Sequence, residues 1–187
     1  MVLFLVALLP AGAGAEDVPF GLHWGDSVAF LTGKDIEVTV DKDDGQVKLC
    51  RLRNFRPMPP NTELVRVVIH AALGLQRIIW RSKDIADVPT GANGIAAYLD
   101  MKEKLSNDYG YPRTSSEESG ASVYTSPSQF YQCLGSDGCG SYISRWNTDD
   151  GEAYLRLLPG QAPDSGRLEA TYDGPRWPEV ASGRIKK

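Results

Sequence analysis

Histidine and cysteine, which most often hold metal ions, are scarce in this sequence. Among 187 residues there are two histidines, His23 and His70, and three cysteines. The histidines stand in different predicted elements without a cluster of ligands around either, whereas a zinc site normally takes four ligands. We therefore predict no metal site and no cofactor.

Sequence motifs typical of enzymes are also missing. No Gly-x-Ser-x-Gly segment is present to mark a nucleophile elbow. The acidic loops at 41–45 and 147–151 place leucine, Leu52 and Leu158, at the twelfth position, where a calcium-binding EF-hand loop requires glutamate. Both loops fall between strand patterns, where Asp-Gly is typical of a hairpin turn. The sequence favours a non-enzymatic protein.

Basic residues are not concentrated in any one segment. The formal net charge is −4, and the lysines and arginines are dispersed along the chain. Because phosphate binding needs a concentrated basic face, we predict that nucleic acid is not a partner. The apolar run at 2–9 falls far short of the ~20 residues that a membrane-spanning helix needs, so we expect no stable membrane span.

The N-terminal residues have the composition of a secretory signal peptide. The apolar run at 2–9 is followed by a proline and by alternating alanine and glycine, with Ala13 and Ala15 at the positions that a signal peptidase reads. We predict a signal peptide at 1–15 and a single domain at 16–187, located in the periplasm or secreted. A buried N-terminal element is the alternative interpretation.

The cysteine spacing agrees with export. Cys133 and Cys139 are separated by five residues of turn-forming character, which would bring the two sulfurs together between flanking strands. We predict a disulfide that closes a hairpin and persists in an oxidising compartment. A metal site is the alternative, but no second pair of ligands lies nearby. Cys50 lies in an alternating strand pattern and is expected to be a buried, inert thiol.

Short strands account for most of the predicted structure. A short helix over 28–31 is capped by Asp26 or Ser27, and the polar stretch at 115–120 is interpreted as a loop. Strands are predicted over 19–24, 36–40, 47–52, 64–71, 75–81, 121–125, 129–134, 140–146, 152–158 and 167–172.

One longer helix interrupts these strands. Between Asn93 and Tyr109 the apolar period changes from two to about 3.6, and Leu99 falls on the apolar face. Gly110 follows as a natural helix end. The predicted fold class is therefore α+β, a meandering antiparallel β-sheet with one main amphipathic helix packed on one face and one disulfide.

Aromatic residues crowd the C-terminal half of the chain. We expect most of them to be core residues of the sheet. Aromatic side chains on a rigid segment also anchor interfaces, because little conformational entropy is left to lose on binding. The residues around the predicted disulfide form a candidate binding surface: Tyr131, Leu134, Tyr142 and Trp146.

Three segments resemble a family of small, uncharacterised bacterial proteins. They read F-G-L-H-W-G at 20–25, Y-G-Y-P at 109–112, and F-Y-Q-C at 130–133 followed by G-C-G at 138–140. The resemblance implies a compact exported domain and supplies no activity and no catalytic residue.

These observations lead to one functional hypothesis and two alternatives. The hypothesis is an exported, periplasmic, non-enzymatic binding protein of unknown ligand, with another envelope protein or a cell-wall component as its partner. The first alternative is an immunity-type inhibitor of a toxin that acts in the periplasm. The second is a small envelope hydrolase, which would require an acid/base pair such as His23 with a carboxylate.

Overall fold

The computed structural model describes residues 18–120, 124–148 and 150–183. The predicted signal peptide at 1–15 lies outside this part of the chain, as do residues 121–123 of the predicted strand at 121–125. Within the described residues, no helix combines the length and the apolar character needed to cross a membrane.

A nine-stranded antiparallel sheet forms the framework of the fold. The strands are, in chain order, β1 (Glu37–Asp43), β2 (Val47–Arg53), β3 (Thr62–His70), β4 (Gly74–Ser82), β5 (Ile85–Ala86), β6 (Thr114–Glu118), β7 (Ser141–Thr148), β8 (Gly151–Pro159) and β9 (Ser165–Asp173). Their order across the sheet is β1-β2-β3-β4-β9-β8-β7-β6, and the short β5 also pairs with β9.

The helices confirm the predicted fold class. They are α1 (Val28–Gly33), α2 (Ala92–Tyr109), α3 (Phe130–Leu134) and α4 (Trp177–Ala181). The 18-residue α2 packs on β7, β8 and β9. The fold is α+β, with a meandering antiparallel sheet, one long helix on one face and the disulfide between Cys133 and Cys139. Ser27 is the N-cap of α1, and its Oγ accepts the N–H of Phe30 at 3.1 Å.

The hydrophobic core lies on the face of the sheet that α2 covers. Alternate strand residues point into it, so Val65 and Val67 of β3 and Leu155 of β8 are at most 1% exposed. Tyr98 of α2 is fully buried in the same cluster. The prediction for Leu99 is wrong: its side chain is 45% exposed, because it stands about 100° around the helix from Tyr98.

Asp87 caps the long helix from outside it. The residue at the N-cap position, Gly91, has φ of 77° and no side chain to accept a hydrogen bond. Asp87 instead accepts the N–H of Asn93 at 2.9 Å and the N–H of Gly94 at 2.7 Å. The hydroxyl of Tyr131 donates to the same carboxylate. A Cβ on Gly94 would lie 2.2 Å from that hydroxyl, so the helix start needs glycine there.

The segment around the disulfide differs from the predicted hairpin. Residues 130–134 form the helix α3 instead of a strand, and the disulfide joins α3 to the turn before β7. A 3-10 turn over Pro127–Gln129 leads directly into α3. This turn has the start signals of a helix, because Ser126 Oγ accepts the N–H of Ser128 and Pro127 stands at its first position. Cys50 is a buried free thiol, as predicted, and burial raises its pKa.

Two further segments correct the sequence prediction. Residues 19–21 form a 3-10 turn and not an edge strand, with a single bridge between Val18 and Leu22. The polar stretch at 115–120, predicted to be a loop, contributes most of β6. This strand is polar because it is the edge of the sheet and pairs with β7.

We predict that Asp87→Ala lowers the free energy of unfolding by about 1–2 kcal/mol at neutral pH, because the α2 amides lose their acceptor. Burial raises the pKa of Asp87, but hydrogen bonds from Tyr131 and the backbone outweigh it and hold the pKa below its usual value. The stabilisation is therefore complete above about pH 4 and is lost as the pH falls further. Urea unfolding at several pH values measures both effects.

Asp100→Ala is the matched control, because Asp100 is an exposed residue in the middle of the same helix. It should change the free energy of unfolding by less than about 0.5 kcal/mol. Equal stability of Asp87→Ala and the unsubstituted protein at neutral pH would contradict the capping role.

Candidate functional site

The sheet face opposite α2 gathers most of the arginines of the protein. Eight of the twelve arginines occupy strand positions that point away from the core, and together they define what we call the arginine face. Its members are Arg51, Arg53, Arg66, Arg77, Arg81, Arg145, Arg156 and Arg167. Their side chains are partly exposed, for example 36% for Arg66 and 47% for Arg156.

Strand periodicity explains how a dispersed set of residues becomes a surface. Every arginine of this face except Arg53 is flanked in sequence by two buried residues, as Arg66 stands between Val65 and Val67. Successive strand residues point to opposite faces. Dispersal along the sequence therefore produces concentration in space, so the dispersed basic residues of this sequence do not exclude a basic face. The prediction that nucleic acid is not a partner stays a prediction.

A bulge in β1 supplies a shared carboxylate for the first pair of arginines. Arg51 and Arg66 lie directly opposite each other on β2 and β3, a position where like charges repel. The pairing of β1 with β2 shifts between Val40 and Lys42, which leaves Asp41 outside the register. Asp41 accepts a hydrogen bond from Arg51 Nη2 at 2.8 Å, and its other oxygen lies 3.4 Å from Arg66 Nε.

A buried glutamate holds the second pair. Glu169 of β9 lies opposite both Arg81 of β4 and Arg156 of β8, and it is 6% exposed. Arg81 Nη2 donates to one carboxylate oxygen at 2.6 Å, and Arg156 Nη2 donates to the other. Burial raises the pKa of Glu169, but the hydrogen bonds from the two arginines outweigh this effect and hold the pKa below its usual value.

Two other arginines of this face, Arg77 and Arg145, are each held by contacts with neighbouring side chains. Arg77 binds both carboxylate oxygens of Asp173, and its guanidinium carbon lies 3.7 Å from the ring centre of Trp177 in α4. Arg145 lies over the ring of Tyr154 at 5.2 Å. These contacts fix the planes of the guanidinium groups.

The arginine face carries more positive than negative charge. The carboxylates on the same face as its eight arginines are Glu37, Asp41, Glu118, Glu152, Glu169 and Asp173. Asp41 and Glu169 each serve two arginines, so each of those groups keeps one positive charge in excess. The chain as a whole is negative, with a net charge of −4, so the face is a positive region on a negative protein.

The candidate surface predicted around the disulfide needs correction. Tyr131 is 5% exposed and Trp146 is 1% exposed, because α3 and β7 turn these residues toward the core. Tyr131 donates to Asp87, and Trp146 Nε1 donates to the carbonyl oxygen of Gly110 at 3.1 Å, so both hold the ends of α2. Leu134 and Tyr142 are partly buried and pack against the same core.

The two histidines lie in different elements, His70 at the end of β3 and His23 in the segment before α1. His70 is 5% exposed, and its Nδ1 accepts the N–H of Ala72 at 3.1 Å. His23 Nδ1 lies 3.8 Å from Asp26, a carboxylate that also accepts the backbone N–H of His23 at 3.0 Å. His23 does not line the groove of about 770 Å³ that Tyr109 and Tyr172 border. The His23–Asp26 pair therefore closes a local turn.

A hydrogen-bonded cluster of tyrosine, serine, lysine and glutamate side chains lies between α2 and the sheet. The Tyr98 hydroxyl and Ser144 Oγ are 2.7 Å apart, and Ser144 Oγ is also 2.7 Å from Ser115 Oγ. Lys102 donates to Glu117 at the edge of this cluster. Burial strongly raises the pKa of Tyr98, which is 0% exposed, so the phenol stays protonated and out of reach of a substrate. The cluster serves to satisfy buried polar groups.

The chain matches no known protein family, and it is not similar to a curated protein or to a solved structure. The resemblance to a family of small bacterial proteins stays a prediction. The arginine face was missed at the sequence level, although the alternation of arginine with apolar residues in predicted strands was the signal that could have found it.

We predict that Glu169→Gln lowers the free energy of unfolding by about 2–3 kcal/mol, because two arginines lose a buried anion. Since the pKa of Glu169 is lowered in the folded state, this difference is constant above about pH 5 and shrinks as the pH falls. Urea unfolding between neutral and acid pH measures it.

Arg156→Gln is the matched comparison within the same group. It leaves Glu169 paired with Arg81, so the loss should be less than about 1 kcal/mol. Losses of equal size for Glu169→Gln and Arg156→Gln would contradict the shared-carboxylate arrangement.

Proposed function

We propose that the protein is an exported, non-enzymatic binding protein that acts in the periplasm and uses the arginine face as its docking surface. The observation that carries this proposal is the gathering of eight arginines on one sheet face of a protein with a net charge of −4. Arginine is enriched in interfaces, where its planar group makes several hydrogen bonds at once.

Export is supported by the disulfide and by the expected signal peptide. Cys133 and Cys139 are each 1% exposed and joined in a short loop. Disulfides of this structural kind persist in oxidising compartments and are rare in the cytosol.

The burial and the hydrogen bonds of the candidate acid/base groups favour a binding role over the hydrolase alternative. Tyr98 is buried and protonated, and Asp26 is engaged by the backbone of His23. The arginine face, by contrast, is partly exposed and keeps guanidinium donors beyond those used by its own carboxylates.

The test is a pull-down from a bacterial envelope extract under non-reducing conditions with three baits. The double variant Arg66→Gln/Arg156→Gln removes two charges from the arginine face but leaves Asp41 and Glu169 each paired with a remaining arginine. The control variant Lys34→Gln/Lys104→Gln removes two charges from α2 and the end of α1.

We expect the unsubstituted protein and the lysine control to retain the same envelope component, and the arginine variant to retain about tenfold less of it. Recovery of no specific component, or equal recovery with all three baits, would overturn the proposal. Circular dichroism of each bait establishes that all three are folded.

A further inference from the structure

The arginine face has a pattern of charge that points to one kind of partner. We propose that this partner is an acidic protein surface whose carboxylates contact the two arginine groups centred on Asp41 and Glu169. This inference rests on the proposed function and specifies the chemistry of the ligand.

The first argument is the spare hydrogen-bonding capacity of these groups. A guanidinium carries five N–H donors, and a pair of arginines therefore offers more donors than one carboxylate can accept. In the Glu169 group, each of Arg81 and Arg156 donates one hydrogen bond to the glutamate. The side chains of Arg81 and Arg156 are 25% and 47% exposed. Arg81 Nε is buried without a hydrogen-bond partner among the described residues, so an incoming carboxylate would meet the exposed part of each side chain and not this atom.

The second argument is preorganisation. Glu169 is 6% exposed and fixes the ends of two arginine side chains that would otherwise sample many rotamers. Ordering a long side chain on binding opposes association by about 0.5–1.5 kcal/mol, and here part of that ordering is already complete in the free protein. Charge-assisted bonds between arginine and carboxylate are frequently bidentate, which adds geometric specificity.

The pattern of the face distinguishes a protein partner from a membrane surface. The large hydrophobic residues found exposed in the described chain are Phe30, Val40, Met58, Val88, Leu99 and Tyr111, and none belongs to the arginine face. A protein that binds a lipid surface usually combines clusters of lysine or arginine with apolar side chains that insert among the lipids. Partly buried Leu64 and Ile79 lie among the arginines instead, as in the mixed surfaces of protein interfaces.

The carboxylates of the face argue against a nucleic acid. A phosphate backbone presents negative charge at every step, so Glu37, Asp41 and Glu152 would repel it along the sheet. A folded acidic protein can place its carboxylates opposite the arginine groups and its own donors opposite these acids.

The test measures binding of a fluorescent, end-blocked oligo-glutamate peptide by anisotropy. The same three proteins are compared: unsubstituted, Arg66→Gln/Arg156→Gln, and Lys34→Gln/Lys104→Gln. Because the protein is negative overall, non-specific attraction of an anionic peptide is not expected. We expect the arginine variant to bind the peptide about tenfold more weakly, with the lysine control within about twofold of the unsubstituted protein.

Oligothymidylate and phosphatidylglycerol vesicles are the competing probes. Tighter binding of either than of oligo-glutamate would overturn the assignment of an acidic protein partner, as would equal weakening by the two double variants. No peptide binding, together with an envelope component retained through the arginine face, would refute this inference and leave the proposed function standing. The single variants Arg66→Gln and Arg156→Gln repeat the test if the double variant is unfolded.

Discussion

The burial of one face of the sheet beneath α2 is the constraint on which the rest of the structure depends. Strand residues alternate between two faces, so a slip of one residue in a strand would move the core side chains of that strand into water and its arginines into the core. Val67 and Ile78 lie opposite each other at 0% exposure, and Arg66 lies opposite Ile79 on the other face. Because the core side chains must be kept out of water, the arginines occupy the opposite face of the sheet.

Concentrating arginines in this way creates repulsion that the fold must offset. Directly opposed arginines on neighbouring strands, such as Arg51 and Arg66, would destabilise the sheet if they stood alone. Asp41 reaches both from a bulge in the edge strand, and Glu169 lies between Arg81 and Arg156. The same arrangement limits the repulsion and leaves a surplus of positive charge, which links the stability of the sheet to its proposed binding role.

Local patterns were sufficient to predict the hairpins, the long helix and the disulfide. The alternation in β2 and β3, the helical period of α2 with Gly110 after it, and the spacing of Cys133 and Cys139 depend only on neighbouring residues. The sequence was not sufficient where distant residues decide the outcome. The pairing of β4 with β9 brings Arg81 to Glu169, and Asp87 caps a helix that begins several residues later. The short α3 was misassigned because aromatic residues are common in strands.

The central claim is that the register of the sheet places the arginines on a single open face. Nuclear Overhauser contacts between backbone protons of opposed residues measure this register directly in solution. We expect contacts that join Arg51 to Arg66, Arg81 to Glu169 and Glu169 to Arg156. Contacts offset by one residue on any of these strands would place arginines on the face that α2 covers and would contradict the account.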